Sequence, residues 1–309
     1  DAGAGEEPGP GRLDVAALCA ALQAAGARRY GAVLLYAPSL PSTQDVVHNA
    51  TGLPEGTVCV ADVQTQGRGR GDNVWTSPPG CLLFTMASTV SQGATLPLVQ
   101  YLACLAVVEG VQSLPGFAAC PLRIKWPNDI YVAPPAVAAA GGGGDGDAGA
   151  EAGPAATAMP DQASKVGGIL CQSTIKGREF SVSIGIGLNV DNARPTTCLN
   201  ALCLPARVTR EAVLAAILAR YEALHAEFER DGFAPRLQGL YERHWLHSGQ
   251  RVRLEAEGGR EAEVLGLSVA AGGALLARCA ASGETLELLP DGNRFDFFSG
   301  LVSRRAAAP

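Results

Sequence analysis

The sequence predicts an α+β protein that ends in a small SH3-like β-barrel, and three observations lead to this prediction. Short β-branched and apolar runs such as Thr57–Ala61 and Cys81–Met86 alternate with helical patterns over residues 12–247. A long amphipathic pattern with one apolar face follows Thr209. After Gly249 the period becomes alternating, and glycine turns separate short strands over about 60 residues, which is typical of a small barrel.

The first elements follow from local signals. Residues 1–11 are rich in Gly, Glu and Pro, and we predict that they are disordered. Helical spacing over Leu13–Ala25, closed by a glycine, predicts the first helix. Val33–Tyr36 has the composition of a short buried strand. Ser42 then stands where an N-cap residue opens a second helix, and from this local pattern alone capping explains the serine.

The middle of the chain predicts a buried helix and then a hairpin. Apolar residues at helical spacing over 98–108 indicate one face of a core helix. Arg123–Trp126 and Ile130–Val132 are strand-like, and Pro127–Asn128 between them is a turn signal. We therefore expect a hairpin with polar groups at its tip.

A compositional break divides the large domain. Residues 133–164 are almost entirely Ala, Gly, Pro and Asp, so they bury too little apolar surface to offset the entropy of ordering, and we predict a disordered surface insertion. Lys165–Leu170 and Phe180–Val190 resume the sheet. Gly185 and Gly187 inside the second of these strands indicate close approach of a ligand or of another backbone.

These elements define the predicted domains. A helix over Pro235–Leu246 ends the large domain, which we place at 12–247 with its insertion at 133–164. The barrel is predicted over 248–309.

Composition limits the classes of function. The 309-residue chain has a mean hydropathy of +0.13, which fits a packed globular protein. Its net charge of −6 and pI near 5.3 argue against general binding to nucleic acid or to anionic membranes. We see no apolar run of transmembrane length. Nine cysteines without a CxxC pair indicate reduced thiols inside a cell. His244 and His247 have no third metal-ligand candidate nearby, so we predict surface or cap positions for them and no fixed metal site.

The most informative stretch is the glycine loop, which we define as residues 67–75. Glycines at alternate positions let the backbone approach a ligand closely, and backbone N–H groups in such loops bind anions. Arg68 and Arg70 add guanidinium groups suited to phosphate or carboxylate, and Trp75 adds a flat surface. The alternative is an exposed RNA-binding RGG segment, which a single copy between two apolar strands disfavours.

Polar residues at the predicted strand ends indicate one pocket. They are Gln64, Arg68, Arg70, Lys125, Asn128, Asp129, Lys165 and Asn189. The glycine loop lacks the spacing of a P-loop, and no Ser-His-Asp set or paired carboxylates stand out, so hydrolysis has little support. Cations around a glycine loop suit a reaction that develops negative charge on phosphate.

Four segments in order resemble the biotin–protein ligase (holocarboxylase synthetase) family. They are GRGRGDNVWTSPPG at 67–80, KWPNDIY at 125–131, KVGGIL at 165–170 and GIGLNV at 185–190, preceded by STQ at 42–44. The resemblance implies a mixed-sheet catalytic domain of the biotin/lipoate ligase type, related to class II synthetases, followed by the SH3-like barrel. It also implies attack of the biotin carboxylate on Mg-ATP to give biotinyl-5′-AMP, followed by transfer to a lysine of a biotin carboxyl carrier domain.

The resemblance also implies roles for residues. Biotin would be bound by Ser42, Thr43, Gln44, Gln64, Gly67, Arg68, Gly69, Arg70, Lys165 and Gly168. ATP would be bound by Arg68, Arg70, Trp75, Lys125, Asn128, Asp129, Gly185, Gly187 and Asn189. The catalytic residues would be Lys165, Arg70, Asp129 and Lys125, with biotin and ATP as substrates and Mg²⁺ accompanying ATP.

The sequence departs from the family pattern at two points. Gln44 stands where asparagine is usual, and the insertion at 133–164 occupies a junction that is normally short. There is no N-terminal helix-turn-helix, so DNA binding is not expected. We expect a monomer or weak homodimer that contacts carrier domains and no membrane, in the cytoplasm or alternatively in the plastid stroma.

Three other functions remain open at this point. A lipoate–protein ligase would share the fold, but the Arg-Arg-x-x-Gly-Gly-Gly pattern of those enzymes is absent. An RNA-binding protein is disfavoured by the acidic pI. A catalytically inactive carrier-binding scaffold is disfavoured by the presence of both Lys165 and Arg70.

Overall fold

The computed structural model describes residues 11–71, 73–133, 163–192, 195–255, 258–290, 293–296 and 300–304. Most of the two segments predicted to be disordered lies outside these residues. At the borders, Gly11, Ala133 and Ala163 are described, and Ser164 already belongs to a strand, so the predicted insertion extended too far at its C-terminal end.

The described part of the chain contains six α-helices and thirteen strands, and the predicted α+β class is confirmed. The helices are α1 Val15–Ala25, α2 Thr43–Asn49, α3 Val99–Gln112, α4 Leu199–Leu202, α5 Arg210–Asp231 and α6 Pro235–His244, and a 3-10 helix over Gly93–Leu98 precedes α3. The strands of the first sheet are β1 Val33–Leu40, β2 Thr57–Gln64, β3 Cys81–Val90, β4 Leu122–Lys125, β5 Asp129–Val132, β6 Ser164–Lys176 and β7 Glu179–Asn189. Those of the second sheet are β8 Arg251–Leu254, β9 Arg260–Ser268, β10 Ala274–Cys279, β11 Thr285–Leu288, β12 Asn293–Asp296 and β13 Leu301–Arg304.

The first sheet is mixed and has the order β1-β2-β3-β7-β6-β5-β4. Its β1–β2 pair is parallel and its other pairs are antiparallel. The hairpin predicted around Pro127–Asn128 is confirmed as β4–β5, in which Lys125 pairs with Asp129. Thr209 caps α5 by accepting a hydrogen bond from the N–H of Ala212.

The helices divide between the two faces of this sheet. α3 contacts α5 and α6, and α1 packs on α5, while the short α2 contacts β2, β3 and β7. The stretch Gly93–Gln112, which includes α3, is long and apolar enough to cross a membrane, contrary to our expectation from the sequence. Because 67% of its most apolar window is buried inside the protein, it has the character of a core helix.

The second sheet has the order β11-β10-β9-β8-β13-β12 and is consistent with the predicted small β-domain. It is tied to the first part of the chain at Gly273, whose carbonyl accepts hydrogen bonds from Tyr101 Oη at 2.8 Å and Trp126 Nε1 at 3.1 Å. The domain boundaries at 247 and 248 stay a prediction.

His247 is buried, so the predicted surface or cap position is wrong. Its Nε2 accepts the Trp126 N–H at 2.9 Å, and its Nδ1 donates to Gln250 Oε1 at 2.8 Å. A backbone N–H can only donate, so the bond to Trp126 requires a neutral imidazole with the proton on Nδ1. Burial lowers the pKa of His247 to about 3.

We expect this buried histidine to make the fold sensitive to acid. His247 takes up a proton near pH 6.5 in the unfolded chain and only near pH 3 in the folded chain. The contribution of neutral His247 to the free energy of unfolding is therefore fully present above pH 6.5 and is lost progressively as the pH falls from 6.5 to 3. His247→Gln should be less stable than the wild type at pH 7.5, and the gap should narrow by about 1.4 kcal/mol per pH unit below about pH 6. Urea unfolding of both proteins at pH 7.5, 6 and 5 measures the gap, and a constant difference would contradict the prediction.

Candidate functional site

A cavity of about 570 Å³ lies beside α2, the glycine loop, the β4–β5 turn and strands β6 and β7. Of the predicted site residues, the structure places all but Gly67 in its lining: Ser42, Thr43, Gln44, Gln64, Arg68, Gly69, Arg70, Trp75, Lys125, Asn128, Asp129, Lys165, Gly168, Gly185, Gly187 and Asn189. The individual roles assigned to them stay predictions.

The start of α2 forms a polar end of the cavity. Ser42 occupies the N-cap position, but its side chain makes no capping hydrogen bond. The residue is only 1% exposed, and its hydroxyl has no hydrogen-bond partner among the described residues. Capping therefore does not explain this serine, and a buried unpaired hydroxyl in a cavity wall indicates a place for a polar ligand group.

Gln64 is oriented by its neighbour on α2. Its Oε1 accepts hydrogen bonds from the Thr43 backbone N–H at 2.7 Å and from Thr43 Oγ1 at 3.0 Å. Both lone pairs of that oxygen are thus engaged, which leaves the Gln64 Nε2 hydrogens to donate elsewhere. Thr85, a buried residue of β3, lies 2.9 Å from Thr43 through the two hydroxyl oxygens.

The glycine loop folds back on itself as a small hairpin. The Gly69 N–H donates to the Asn73 carbonyl at 2.8 Å, and the Trp75 N–H donates to the Gly67 carbonyl at 2.9 Å. A Cβ on Gly67 would lie 2.5 Å from the Trp75 carbonyl oxygen. Gly67 is therefore required by the closure of this loop rather than by a place in the cavity wall.

The two arginines of the loop contact opposite sides of the cavity. Arg68 Nε lies 3.1 Å from Asp45 Oδ1 on α2, while Arg70 donates to Asn128 Oδ1 at 3.5 Å in the β4–β5 turn. Asn128 is itself fixed by its Nδ2, which donates to the Ile169 carbonyl at 2.7 Å. The loop thus crosses the cavity and is attached at both edges.

The Trp75 indole packs against the glycines of β6 and β7. A Cβ on Gly187 would lie 2.5 to 2.8 Å from the Cε2, Cζ2 and Nε1 atoms of that ring, and one on Gly168 would lie 3.4 Å from it. The sequence predicted that a ligand or another backbone approaches Gly187 closely. In the structure the group that approaches it is the side chain of Trp75.

We expect Gly187→Ala to displace Trp75. A methyl group at this distance overlaps the indole, so the ring must move, and its predicted role in ATP binding should suffer. The KM for ATP should rise about tenfold, with a change in tryptophan fluorescence. Gly239→Ala is the matched control, because a Cβ there meets nothing within 4 Å. An unchanged KM with a displaced indole would remove Trp75 from the ATP site.

A cluster of charged side chains lies at one end of the cavity, where strand β5 pairs with strand β6. Lys165 Nζ is 2.7 Å from Asp129 Oδ1 and 5.6 Å from the centre of the Trp75 ring. Lys125, on β4, lies over the Tyr131 ring at 5.6 Å. Burial lowers the pKa of Lys125, and the Lys165 charge lowers it further, while Asp129 opposes the shift. Two lysines beside one carboxylate give this end of the cavity a positive character.

Asn189 organises the loop that follows β7. Its Nδ2 donates to Thr196 Oγ1 and to the Thr197 carbonyl, both at 3.1 Å. Thr196 Oγ1 in turn donates to the Lys165 carbonyl at 2.5 Å. Asn189 thereby connects this loop to the strand that carries Lys165.

Sequence reasoning missed several residues of the cavity wall. They are Asn73, Val74, Thr76, Phe84, Thr85, Trp126, Pro127, Ile169, Leu170, Ile186, Pro195, Thr196 and Pro290. Thr85 carried one usable signal, a hydroxyl inside an otherwise apolar strand. Pro290 comes from the region of the second sheet, and no local pattern relates it to the glycine loop.

Comparisons with known proteins identify the family to which the chain is related. A model of the Biotin/lipoate A/B protein ligase family matches residues 36–189. Biotin–protein ligase 2 of Arabidopsis thaliana is 40% identical over 288 residues, covering 90% of this chain and 78% of that protein. The biotin–protein ligase of Homo sapiens is 34% identical over 291 residues, covering 89% of this chain and 36% of that protein.

A solved structure supports the fold. The biotin protein ligase from Aquifex aeolicus in complex with biotin and ATP aligns with a TM-score of 0.59 at 24% identity, covering 82% of this chain and 97% of that chain. The fold, the family model and the two eukaryotic relatives lead to one conclusion. This chain belongs to the biotin–protein ligase family.

Proposed function

We propose that this protein attaches biotin to a lysine of biotin carboxyl carrier domains, with biotinyl-5′-AMP as the intermediate. The observation that carries the proposal is the polarity of the cavity. One end presents the unpaired Ser42 hydroxyl and the oriented Gln64 amide, and the other presents Lys125 and Lys165. A ligand with a polar ring at one end and a carboxylate at the other, next to a polyphosphate, matches this arrangement. The relatives named biotin–protein ligases support the choice of biotin.

In the first step an oxygen of the biotin carboxylate attacks the α-phosphorus of ATP. A new O–P bond forms, and the bond to the β-phosphate breaks to release pyrophosphate. Negative charge builds up on the phosphoryl oxygens, so nearby cations stabilise the transition state. Lys165, on β6 in the cavity wall, would supply such a cation, and the arginines of the glycine loop would exclude water from the mixed anhydride.

In the second step the carrier lysine attacks the acyl carbon, and AMP leaves as the amide bond forms. The attacking amine must lose a proton, and Asp129 is the carboxylate in the cavity wall that can accept it or orient the amine. Mg²⁺ would arrive with ATP. The side-chain oxygens of Asn128 and Asp129, which contact Arg70 and Lys165 in this structure, are the donor type that this ion prefers. Its contribution would be to neutralise phosphate charge.

Elsewhere in the described chain, one group of three side chains is close enough to bind a metal. It consists of Glu55, His225 and Glu229, and it lies outside the cavity with Arg29 paired to both glutamates. A resident guanidinium already supplies positive charge there, so we assign the group no role in the reaction. The oligomeric state, as monomer or weak homodimer, stays a prediction.

Biotin-dependent ATP–pyrophosphate exchange tests the proposal, with lipoate run in parallel. Exchange with biotin alone is the expected result. Exchange with lipoate would keep the fold and overturn the substrate, and a folded chain that is silent with both would favour a non-catalytic scaffold.

We expect Arg70→Ala to release the intermediate. The contact of Arg70 with Asn128 attaches the glycine loop to the β4–β5 turn, and its loss should let the loop open. Free biotinyl-AMP should appear about tenfold faster in a chase, and unrelated proteins should become biotinylated. Arg123→Ala, on β4 outside the cavity wall, is the control. Equal release rates in the two variants would contradict the role of Arg70.

A further inference from the structure

The side chain of Gln44 is almost entirely engaged by the protein. Its Nε2 donates to Gln172 Oε1 at 3.0 Å and to Ser183, with 3.0 Å to the hydroxyl and 3.2 Å to the carbonyl. A glutamine amide has two N–H groups, and both have partners here. The residue is 3% exposed, so water does not compete for these bonds.

Its partners form a cross-strand unit below α2. Gln172 and Ser183 are direct neighbours in the β6–β7 register, and Thr85 and Gly185 are neighbours in the β3–β7 register. Gln44 Oε1 lies against Thr85 Oγ1 at 3.4 Å. One amide thus joins α2 to three adjacent strands.

Gly185 is the counterpart that makes room for this amide. A Cβ at Gly185 would lie 2.5 Å from Gln44 Oε1, a separation that real Cβ atoms do not show. Asparagine, which the resemblance gives as usual at position 44, is shorter by one methylene. The glutamine and the glycine therefore form a complementary pair, and the ATP contact predicted for Gly185 is not needed to explain the glycine.

The pair is connected to the polar end of the cavity. Thr85 Oγ1 lies 2.9 Å from Thr43 Oγ1, and Thr43 holds Gln64 by two hydrogen bonds. Displacing Gln44 would remove the atom packed against Thr85, so Thr85 and the Thr43 side chain bonded to it could shift, and Thr43 is the residue that orients Gln64.

We propose that Gln44, seated over Gly185, is a positioning residue for the polar ring of biotin and does not itself bind the ligand. The inference rests on the proposed function. It predicts a selective effect, because the amide acts on Thr85, Thr43 and Gln64 and not on the lysines at the opposite end. The KM for biotin should change, while kcat and the KM for ATP should not.

The test is ATP–pyrophosphate exchange at varied biotin, with thermal unfolding to confirm that each variant is folded. Gln44→Leu, which keeps the bulk and removes the amide, should raise the biotin KM about tenfold, as expected for loss of a buried hydrogen-bond network. Gln172→Ala, at a partly exposed position, should raise it about threefold. Gln23→Leu, on the exposed face of α1, is the matched control.

A double variant at positions 185 and 44 tests whether Gln44 acts by positioning its neighbours or only by filling space. Gly185→Ala should raise the biotin KM by pushing Gln44 aside, and adding Gln44→Asn should restore part of the affinity, since the shorter amide leaves room for the methyl group. The inference would be overturned if the effects of Gly185→Ala and Gln44→Asn on the KM for biotin were additive, or if only the KM for ATP changed. If the wild type is active and the Gln44→Leu and Gln172→Ala variants have its KM for biotin, only the inference about Gln44 is overturned. If the wild type shows no biotin-dependent exchange, the proposed function is overturned as well.

Discussion

Lys165→Gln is expected to lower the rate of biotin-dependent ATP–pyrophosphate exchange by about 10²- to 10³-fold. Lys165 Nζ is 2.7 Å from Asp129 Oδ1 and 37% exposed, so it is held in the cavity wall yet accessible to a ligand. Attack of a carboxylate on a phosphate brings two anions together, and a cation at this point offsets their repulsion. Glutamine keeps the length of much of the side chain and removes the charge. The exchange assay at saturating ATP and biotin measures the effect.

The matched control is Arg178→Gln, at an exposed position in the turn between β6 and β7 and outside the cavity wall. It removes an equal charge from the protein, so any general electrostatic effect appears in both variants. Lys165→Arg should recover part of the rate, because the charge returns with a different geometry. An exchange rate for Lys165→Gln within about threefold of wild type would exclude Lys165 from the first step.

The parts of the site that could be predicted lie on short contiguous segments. Lys125, Asn128 and Asp129 follow from one hairpin, since a Pro-Asn turn between two strand-like runs fixes which side chains stand at its tip. The glycine loop could be recognised because glycine at alternate positions weakens both helix and strand and lets the backbone turn sharply. In each case local geometry alone determines which groups meet.

What could not be predicted depends on contacts distant in sequence. The bond between Gln44 and Ser183 joins residues 139 positions apart. The packing of Trp75 on Gly187 likewise joins two elements whose register is set only by the folded sheet. His247 is a similar case. Its spacing from His244 carried no information about the Trp126 N–H that it accepts.

Ser42 has a different environment in the folded chain from the one that its local sequence indicates. At the level of sequence, a serine before a helix is explained by capping, and nothing further is needed. In the structure the hydroxyl makes no capping bond and lies unpaired in a cavity wall. The position was predicted correctly and the physical reason was not, because the direction of a side chain depends on what packs around it.

Asp129→Asn is expected to separate the two chemical steps. The substitution keeps the shape of the side chain at the start of β5 and removes its capacity to accept a proton. ATP–pyrophosphate exchange should stay within about tenfold of wild type, since that step needs no base. Transfer of biotin to a carrier domain should fall by about 10²-fold or more, the usual contribution of a positioned general base. Single-turnover transfer from preformed enzyme-bound biotinyl-AMP measures the second step alone.

Hydroxylamine distinguishes a base from a docking residue. It is uncharged at neutral pH and attacks acyl adenylates without having to lose a proton first, so its reaction with bound biotinyl-AMP should be nearly equal in wild type and Asp129→Asn. If Asp129 acts on the lysine proton, raising the pH should also recover part of the transfer rate, as more of the carrier lysine becomes unprotonated. If instead the hydroxylamine reaction falls as far as the carrier reaction, the loss lies in the adenylate itself. The ion pair between Asp129 and Lys165 would then be its cause, because removing the carboxylate frees the lysine that holds the intermediate in place.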